Sequence, residues 1–295
     1  MLPRLRDVLS AWLTGSGAGY PLSLADDREY PVGWTGPVHV WDIDQTYLAT
    51  RLSMRSLLRV PIEFAVDKQA VPGMPEVLRG LRRGPGPGFA CTPLYFVSAS
   101  PPQLAGVIRR RMQIDGVEAD GLVFKDWAGA VRGLRPGRLR EQVGFKVCAL
   151  LAARLRRPGS VEYLYGDDTE SDALAYHLYG RIVNGEMSCG ATVTALADAG
   201  VQADDRACVR DLVDRVGVRP GAVERAFIHL AAGTDPGAFE PFAPRLVPVR
   251  GAVQLAIALQ HLGLVDDDCV RQAISVVEGG TVGGVPMGGC ARAAG

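Results

Sequence analysis

Between residues 38 and 177 the chain alternates short apolar, β-prone runs with stretches of helical spacing, and each run stops at polar residues. Val38, His39, Val40 and Trp41 lead into Asp42-Ile43-Asp44-Gln45-Thr46, and Leu94, Tyr95, Phe96 and Val97 lead into Ser98-Ala99-Ser100-Pro101. Residues 121–124 run into Lys125-Asp126-Trp127, and residues 161–165 into Gly166-Asp167-Asp168. Between them the spacing predicts helices at 49–58, 74–81, 102–112 and 145–156. Strands that alternate with helices pair in parallel, because each crossover returns the chain to the same end of the sheet. The expected fold is therefore α/β, a doubly wound Rossmann-like parallel sheet. The polar strand ends then collect along one edge, where open α/β sheets bind ligands.

The strand that ends in Asp42 and Asp44 carries the sharpest chemical signal. Alternate side chains leave a strand in the same direction, so both carboxylates can face one small space. Two like charges there cost free energy unless a cation or a shared proton offsets them, and Mg2+ is the default hard cation for oxygen ligands. Taken alone, an Asp at a strand end is more often a cap or turn residue, and Thr46 also suits a cap. The chemical reading rests on the whole ordered set: Asp42/Asp44, Ser98, Lys146, Asp167/Asp172. Lys68, Lys125 and Lys146 are the only lysines in a chain rich in Arg. Arg would serve at an ordinary surface site, so Lys125 and Lys146 stand out. Ser100 is close enough to Ser98 to compete for its role.

In this order the motifs resemble those of the haloacid-dehalogenase-like hydrolases. More narrowly they resemble the catalytic domain of the lipin-like phosphatidate phosphatases, especially the actin-patch branch and its bacterial relatives. The resemblance spans residues 38–176. It is carried by Asp42-Ile43-Asp44-Gln45-Thr46, Pro72-Gly73-Met74, Val97-Ser98-Ala99-Ser100-Pro101, Phe124-Lys125-Asp126-Trp127, Lys146, and Gly166-Asp167-Asp168 with Asp172. Three positions depart from the family pattern: Gln45 replaces an acidic residue or Gly, Asp168 replaces Ser, and Pro102 stands where an aromatic residue is frequent.

The resemblance implies a Mg2+-dependent phosphomonoester hydrolase of the haloacid-dehalogenase type, with little or no cap and extra C-terminal helices. Its implied nucleophile is Asp42, with Asp44 as general acid and base and Ser98 and Lys146 completing the catalytic set. Thr46, Ala99, Ser100 and Lys125 are the implied substrate-binding residues. The implied metal site is Asp42, Asp44 through its backbone carbonyl, and Asp167, with Asp172 orienting Lys146 or the metal's waters. Such a set answers a real difficulty: a phosphomonoester is an anion, and a carboxylate attacks it only where cations neutralise the phosphoryl oxygens. The favoured substrate is phosphatidate. The alternatives are a soluble or macromolecular phosphomonoester, or a domain that binds phosphatidate without hydrolysing it.

The formal net charge of zero argues against a general nucleic-acid binder. The six cysteines are scattered without metal-ligand spacing and read as reduced. No apolar run reaches the roughly 18 residues of a membrane span. A cytoplasmic protein that meets a phosphorylated substrate, with at most peripheral contact to phospholipid, is expected; the oligomeric state is not legible. Residues 1–14 have amphipathic helical spacing and suit either a docking helix or a membrane-surface helix. The expected organisation is an N-terminal helix and wrapping loop over 1–36, a phosphatase domain over 37–235, a helical extension over 236–278, and a disordered Gly-rich tail over 279–295. A strand is expected at 226–230, and helices at 252–262 and 269–277. His39, His177, His229 and His261 read as core or surface histidines. The arginines at 109–111, 135, 138 and 140 read as a solvated face, a phospholipid-binding face being the other reading.

Overall fold

The computed structural model describes residues 22–26, 33–49, 69–100, 102–125, 142–169 and 171–280. The expected helix at 1–14, residues 50–58 of the next, Asp126 and Trp127, and the tail from 281 onward lie outside these. Seven strands form one sheet: β1 (Leu22–Asp26), β2 (Pro37–Asp42), β3 (Leu94–Ser98), β4 (Gly121–Lys125), β5 (Val161–Asp167), β6 (Val223–His229) and β7 (Leu246–Val249). Their order is β1-β4-β3-β2-β5-β6-β7. Six are parallel, and β1 pairs antiparallel with β4 at one edge.

The helices are α1 (Met74–Arg83), α2 (Ala105–Ile114), α3 (Val143–Arg154), α4 (Asp172–Val183), α5 (Cys189–Asp198), α6 (Ala203–Val216), α7 (Ala252–His261) and α8 (Asp267–Gly280). A 3-10 turn at Pro102–Leu104 leads into α2. It starts the helix where the sequence places it, with Pro in the position its fixed φ favours.

Strand parity divides the core in two. Val38 and Val40 of β2 pack with Tyr95, Val97 and Leu164 against the α3, α4 and α6 layer. Trp41 and Ile43 point the other way, with Phe96, Tyr165 and Phe227, against α1, α2, α7 and α8. On that second face Trp41 stacks on Tyr165 at 4.1 Å and 10°, and Tyr165 stacks on Phe227 at 5.5 Å. His39 is a core histidine: it shares a 2.8 Å hydrogen bond with the Tyr165 hydroxyl, and burial pushes its pKa down to about 3. It is therefore neutral.

The amino end of the sheet buries two ion pairs. Arg82 meets Asp120 at 2.6 Å, and Asp120 also accepts the Leu94 N–H at 2.8 Å. Arg154 lies 3.6 Å from Glu162 and donates to the carbonyls of Pro158 and Ser160, while Glu162 accepts the Tyr179 hydroxyl. Every one of these ions has an opposite charge and neutral hydrogen-bond partners, which is how buried ions persist.

Several elements differ from expectation. β1 lies inside the expected 1–36 loop region, where flanking Gly and Pro mask a five-residue strand. α4, α5, α6 and β7 are not expected from the sequence, and the 236–278 segment supplies a strand of the common sheet as well as two helices. β7 is only four residues long and contains Pro248, which is tolerated because the strand lies at an edge. The expected strand at 226–230 runs from Val223 to His229.

Candidate active site

Asp42 is the last residue of the central strand β2 and shares the face of Val38 and Val40, so its carboxylate is aimed toward α3 and α4. Those two helices supply its neighbours. Lys146, in the first turn of α3 and 1% exposed, places Nζ 2.8 Å from Asp42 Oδ1 and donates to Asp172 Oδ1 as well. The helix dipole opposes a cation at this position; the two carboxylates offset that cost. Asp172 opens α4, where the dipole favours an anion, and its Oδ2 accepts the Asp167 N–H at 3.1 Å. A Cβ on Gly166 would lie 2.3 Å from Asp172 Oδ2. Glycine is required there so that the Asp172 carboxylate can lie against β5.

Oxygens of Asp42, Asp167 and Asp172 all lie within 4.8 Å of one another, and all three residues are buried. Three buried carboxylates thus crowd together beside the Lys146 ammonium. An all-oxygen donor set of this kind fits a hard divalent cation. Asp42 and Asp167 would be the residues to hold one. Both oxygens of Asp172 already accept, from Lys146 and from the Asp167 amide, so Asp172 orients the lysine.

Asp44 stands apart from this group. Its Oδ2 accepts from the Ser100 hydroxyl at 2.8 Å and the Ser98 hydroxyl at 3.3 Å, and the Ser100 N–H donates to Ser98 Oγ at 3.0 Å. The competition between the two serines thus ends with both on one carboxylate. The turn that carries Asp44 is tight: the Gln45 N–H donates to the Leu48 carbonyl at 2.7 Å, and the Tyr47 and Leu48 amides donate to the Ile43 carbonyl. Gln45 has φ 59, a left-handed backbone that costs a residue with a Cβ about 1–3 kcal/mol. Gly adopts that conformation freely and Asp more readily than most, which gives a physical reason for the residue types expected there. Gln45 compensates in part by donating Nε2 to the Ala49 carbonyl at 2.8 Å.

The remaining expected residues are distributed around these two groups. Thr46 is buried, and among the described residues its hydroxyl has no hydrogen-bond partner. Ala99 is half-buried against the α3 and α4 side of the core. Lys125 is 3% exposed, with its ammonium 5.7 Å from the Phe145 ring centre. Asp168 turns away from the carboxylate group: Oδ1 accepts the Ala232 N–H at 2.7 Å and Oδ2 the Thr234 N–H at 2.9 Å. Burial alone would raise its pKa, but these amides outweigh that and hold it below the usual carboxylate range. His229, expected as an ordinary core or surface histidine, instead meets the Gln45 carbonyl at 2.7 Å through Nδ1. No local pattern signals that contact, because it joins residues 184 apart. The segment on which the cap expectation bears, 50–68, lies outside the described residues.

A second concavity of about 430 Å3 lies at the opposite end of the sheet, lined by His177, Arg181, Arg225, Phe242 and Arg245 among others. Two of its arginines are already ion-paired, Arg245 with Glu186 and Arg225 with Glu224 at 3.4 Å. Burial, Arg181 and Arg245 together lower the His177 pKa. The cluster of three buried carboxylates, by contrast, is at the carboxyl ends of the strands. Among the described residues no helix is long and apolar enough to cross a membrane.

Comparison with curated proteins finds no match. A crystal structure described as that of a haloacid-dehalogenase-like phosphatase from Mesorhizobium loti aligns with a TM-score of 0.46 at 13% identity, over 84% of this chain and 97% of that one. Residues 38–188, just over half of the chain, match the family described as the catalytic domain of the phosphatidate phosphatase APP1. That stretch contains Asp42, Asp44, Ser98, Lys146, Asp167 and Asp172, and the chain belongs to this family.

Proposed function

We propose that this domain hydrolyses a phosphomonoester through transient phosphorylation of Asp42, with Mg2+ as its cation and phosphatidate as its substrate. The observation that carries the reading is the contrast between two carboxylates two residues apart. Asp42 is ion-paired to Lys146 beside two further acids, whereas the Asp44 carboxylate accepts from the hydroxyls of Ser98 and Ser100. Environments that differ in this way assign different protonation tasks to paired acids.

Asp42 attacks phosphorus, and the bond to the leaving oxygen breaks as Asp44, in its protonated form, delivers a proton to that oxygen. In the second step Asp44 takes a proton from water as that water attacks phosphorus, which frees Asp42 and releases inorganic phosphate. Lys146 offsets the charge on Asp42 and the phosphoryl oxygens, and Asp172 holds Lys146 in place. Ser98, Ser100 and Thr46 offer hydroxyls, and Ala99 an amide, to the phosphoryl group, and Lys125 is a further cation on the β4 side. Asp42, Asp167 and the Asp44 carbonyl would hold a divalent cation, which would supply charge neutralisation on the phosphoryl oxygens. Its preference for few carboxylates alongside water and phosphate favours Mg2+.

Phosphatidate is favoured because the matched family is described by that activity. The test is phosphate release from phosphatidate vesicles and from a small generic phosphoester, each with and without Mg2+, for the natural chain and Asp42→Asn. The expected result is Mg2+-dependent release from vesicles that Asp42→Asn abolishes. Release from the small ester alone would move the substrate to a soluble phosphomonoester. Vesicle binding without release from either would replace the enzyme with a phosphatidate-binding domain.

A further inference from the structure

Two of the three departures from the family pattern, Gln45 and Asp168, are far apart in the chain yet meet the same short segment, the end of β6. The Gln45 carbonyl is an acceptor only, so the 2.7 Å contact with His229 requires a proton on Nδ1 of the imidazole. Of the three hydrogen bonds Gln45 makes among the described residues, those to Leu48 and Ala49 close within the turn. The His229 bond ties it to another strand.

His229 is itself held from the other side. It is the last residue of β6, in register with Asp167 on β5 and Val249 on β7. Its carbonyl accepts the Asp168 N–H at 3.1 Å, while the Asp168 carboxylate takes the amides of Ala232 and Thr234 just beyond. Asp168 thus anchors the chain as it leaves β6. The turn that receives the bond carries a strained left-handed residue, and such a conformation persists only where its surroundings over-determine it.

We propose that His229 is a positioning residue: its Nδ1–H holds the Gln45 carbonyl so that the turn keeps the Asp44 carboxylate beside Ser98 and Ser100, and Asp168 seats His229 for that purpose. This rests on the phosphatase reading above, in which Asp44 must reach the leaving oxygen. A general acid displaced by about 1 Å loses up to about 100-fold in rate.

The test uses the full chain with His229→Ala, His229→Gln and His229→Asn. The Asn amide nitrogen falls near the place of Nδ1, while the Gln amide reaches past it. Two readouts are taken: kcat and KM for Mg2+-dependent phosphate release, and hydrogen exchange at the amides of Gln45, Tyr47 and Leu48. His229→Ala and His229→Gln are expected to lower kcat about 10- to 100-fold with KM little changed, and to speed exchange in the turn; His229→Asn recovers most of both. His229→Gln stands in if His229→Ala does not fold. A lowered melting temperature with unchanged kcat and unchanged exchange would overturn the proposal, as would an Asn variant no better than Gln. If the natural chain releases no phosphate from any ester, the phosphatase reading fails and the positioning role fails with it. Turnover by the natural chain that is insensitive to His229 removes only the positioning role.

Discussion

The two ends of the sheet bury ionised groups to similar depth and to opposite effect. At the amino end Arg82 faces Asp120 and, at 3.6 Å, Glu118, and Arg154 faces Glu162, with a hydroxyl and carbonyls among their other partners. At the carboxyl end Asp42, Asp167 and Asp172 lie together, with Lys146 paired to Asp42 and Asp172. Burying an ion costs several kcal/mol at either end. Ion pairs meet that cost from within the chain, whereas three carboxylates crowded beside Lys146 suit a bound divalent cation. Crowding of like charges, more than burial, separates such a site from a structural ion pair.

The sharpest way to break this contrast is by activity. Asp42→Asn is expected to lower phosphate release by at least about 10^4-fold, as loss of a nucleophile does, with the fold intact by circular dichroism. A variant that kept a tenth of the rate would dismiss Asp42 as nucleophile. At the other end, Arg82→Met leaves Asp120 buried without its cation and is expected to cost about 3–5 kcal/mol, read as a lower urea midpoint. The kcat of the folded fraction should not change; a fall in kcat there would mean the two ends are not separable. A smaller effect tests the acidic cluster itself. Mg2+ at about a hundred times its Kd should add about 2.7 kcal/mol of stability, and Asp167→Asn should abolish that gain. Equal thermal shifts in both proteins would place the metal elsewhere.

The smallest expected effect comes from the middle of β2. Burial holds the His39 pKa at about 3, against 6.5 for the ordinary side chain. The unfolded chain therefore takes up a proton first as pH falls, so stability is lost from pH 6.5 down to about 3 and recovered on raising it. At about 1.4 kcal/mol per pH unit, roughly 2 kcal/mol is lost between pH 6.5 and 5. Urea unfolding at those two values should show that difference shrink in His39→Phe. An unchanged difference would assign the acid sensitivity to the carboxyl end.

How far the molecule was legible follows from the range of each signal. The central strands β2, β3, β4 and β5 were readable because strands buried on both faces are continuous apolar runs. β1 and β7 were not, being edge strands of five and four residues with Gly or Pro near or within them. α6 was hidden by its charge, since its sequence ADDRACVRDLVDRV buries only Asp205, Val209 and Leu212. The residues that meet at the carboxyl end were each visible at the end of an element, and topology brings such ends together. His229 was not visible, because a backbone carbonyl as acceptor leaves no trace in residue types. In the sequence Asp168 stands out only as a departure from the family pattern; its side chain leaves β5 away from that of Asp167, as adjacent residues do.

The parity of β2 also bears on how such a chain can change over generations. Asp42 and Trp41 are neighbours in sequence on opposite faces, one in the ion cluster and the other stacked on Tyr165. Inserting or deleting one residue within β2 would exchange them, seating an indole beside Lys146 and a carboxylate in the aromatic stack. Substitutions can accumulate around this strand, but its length is inherited as a unit with the chemistry.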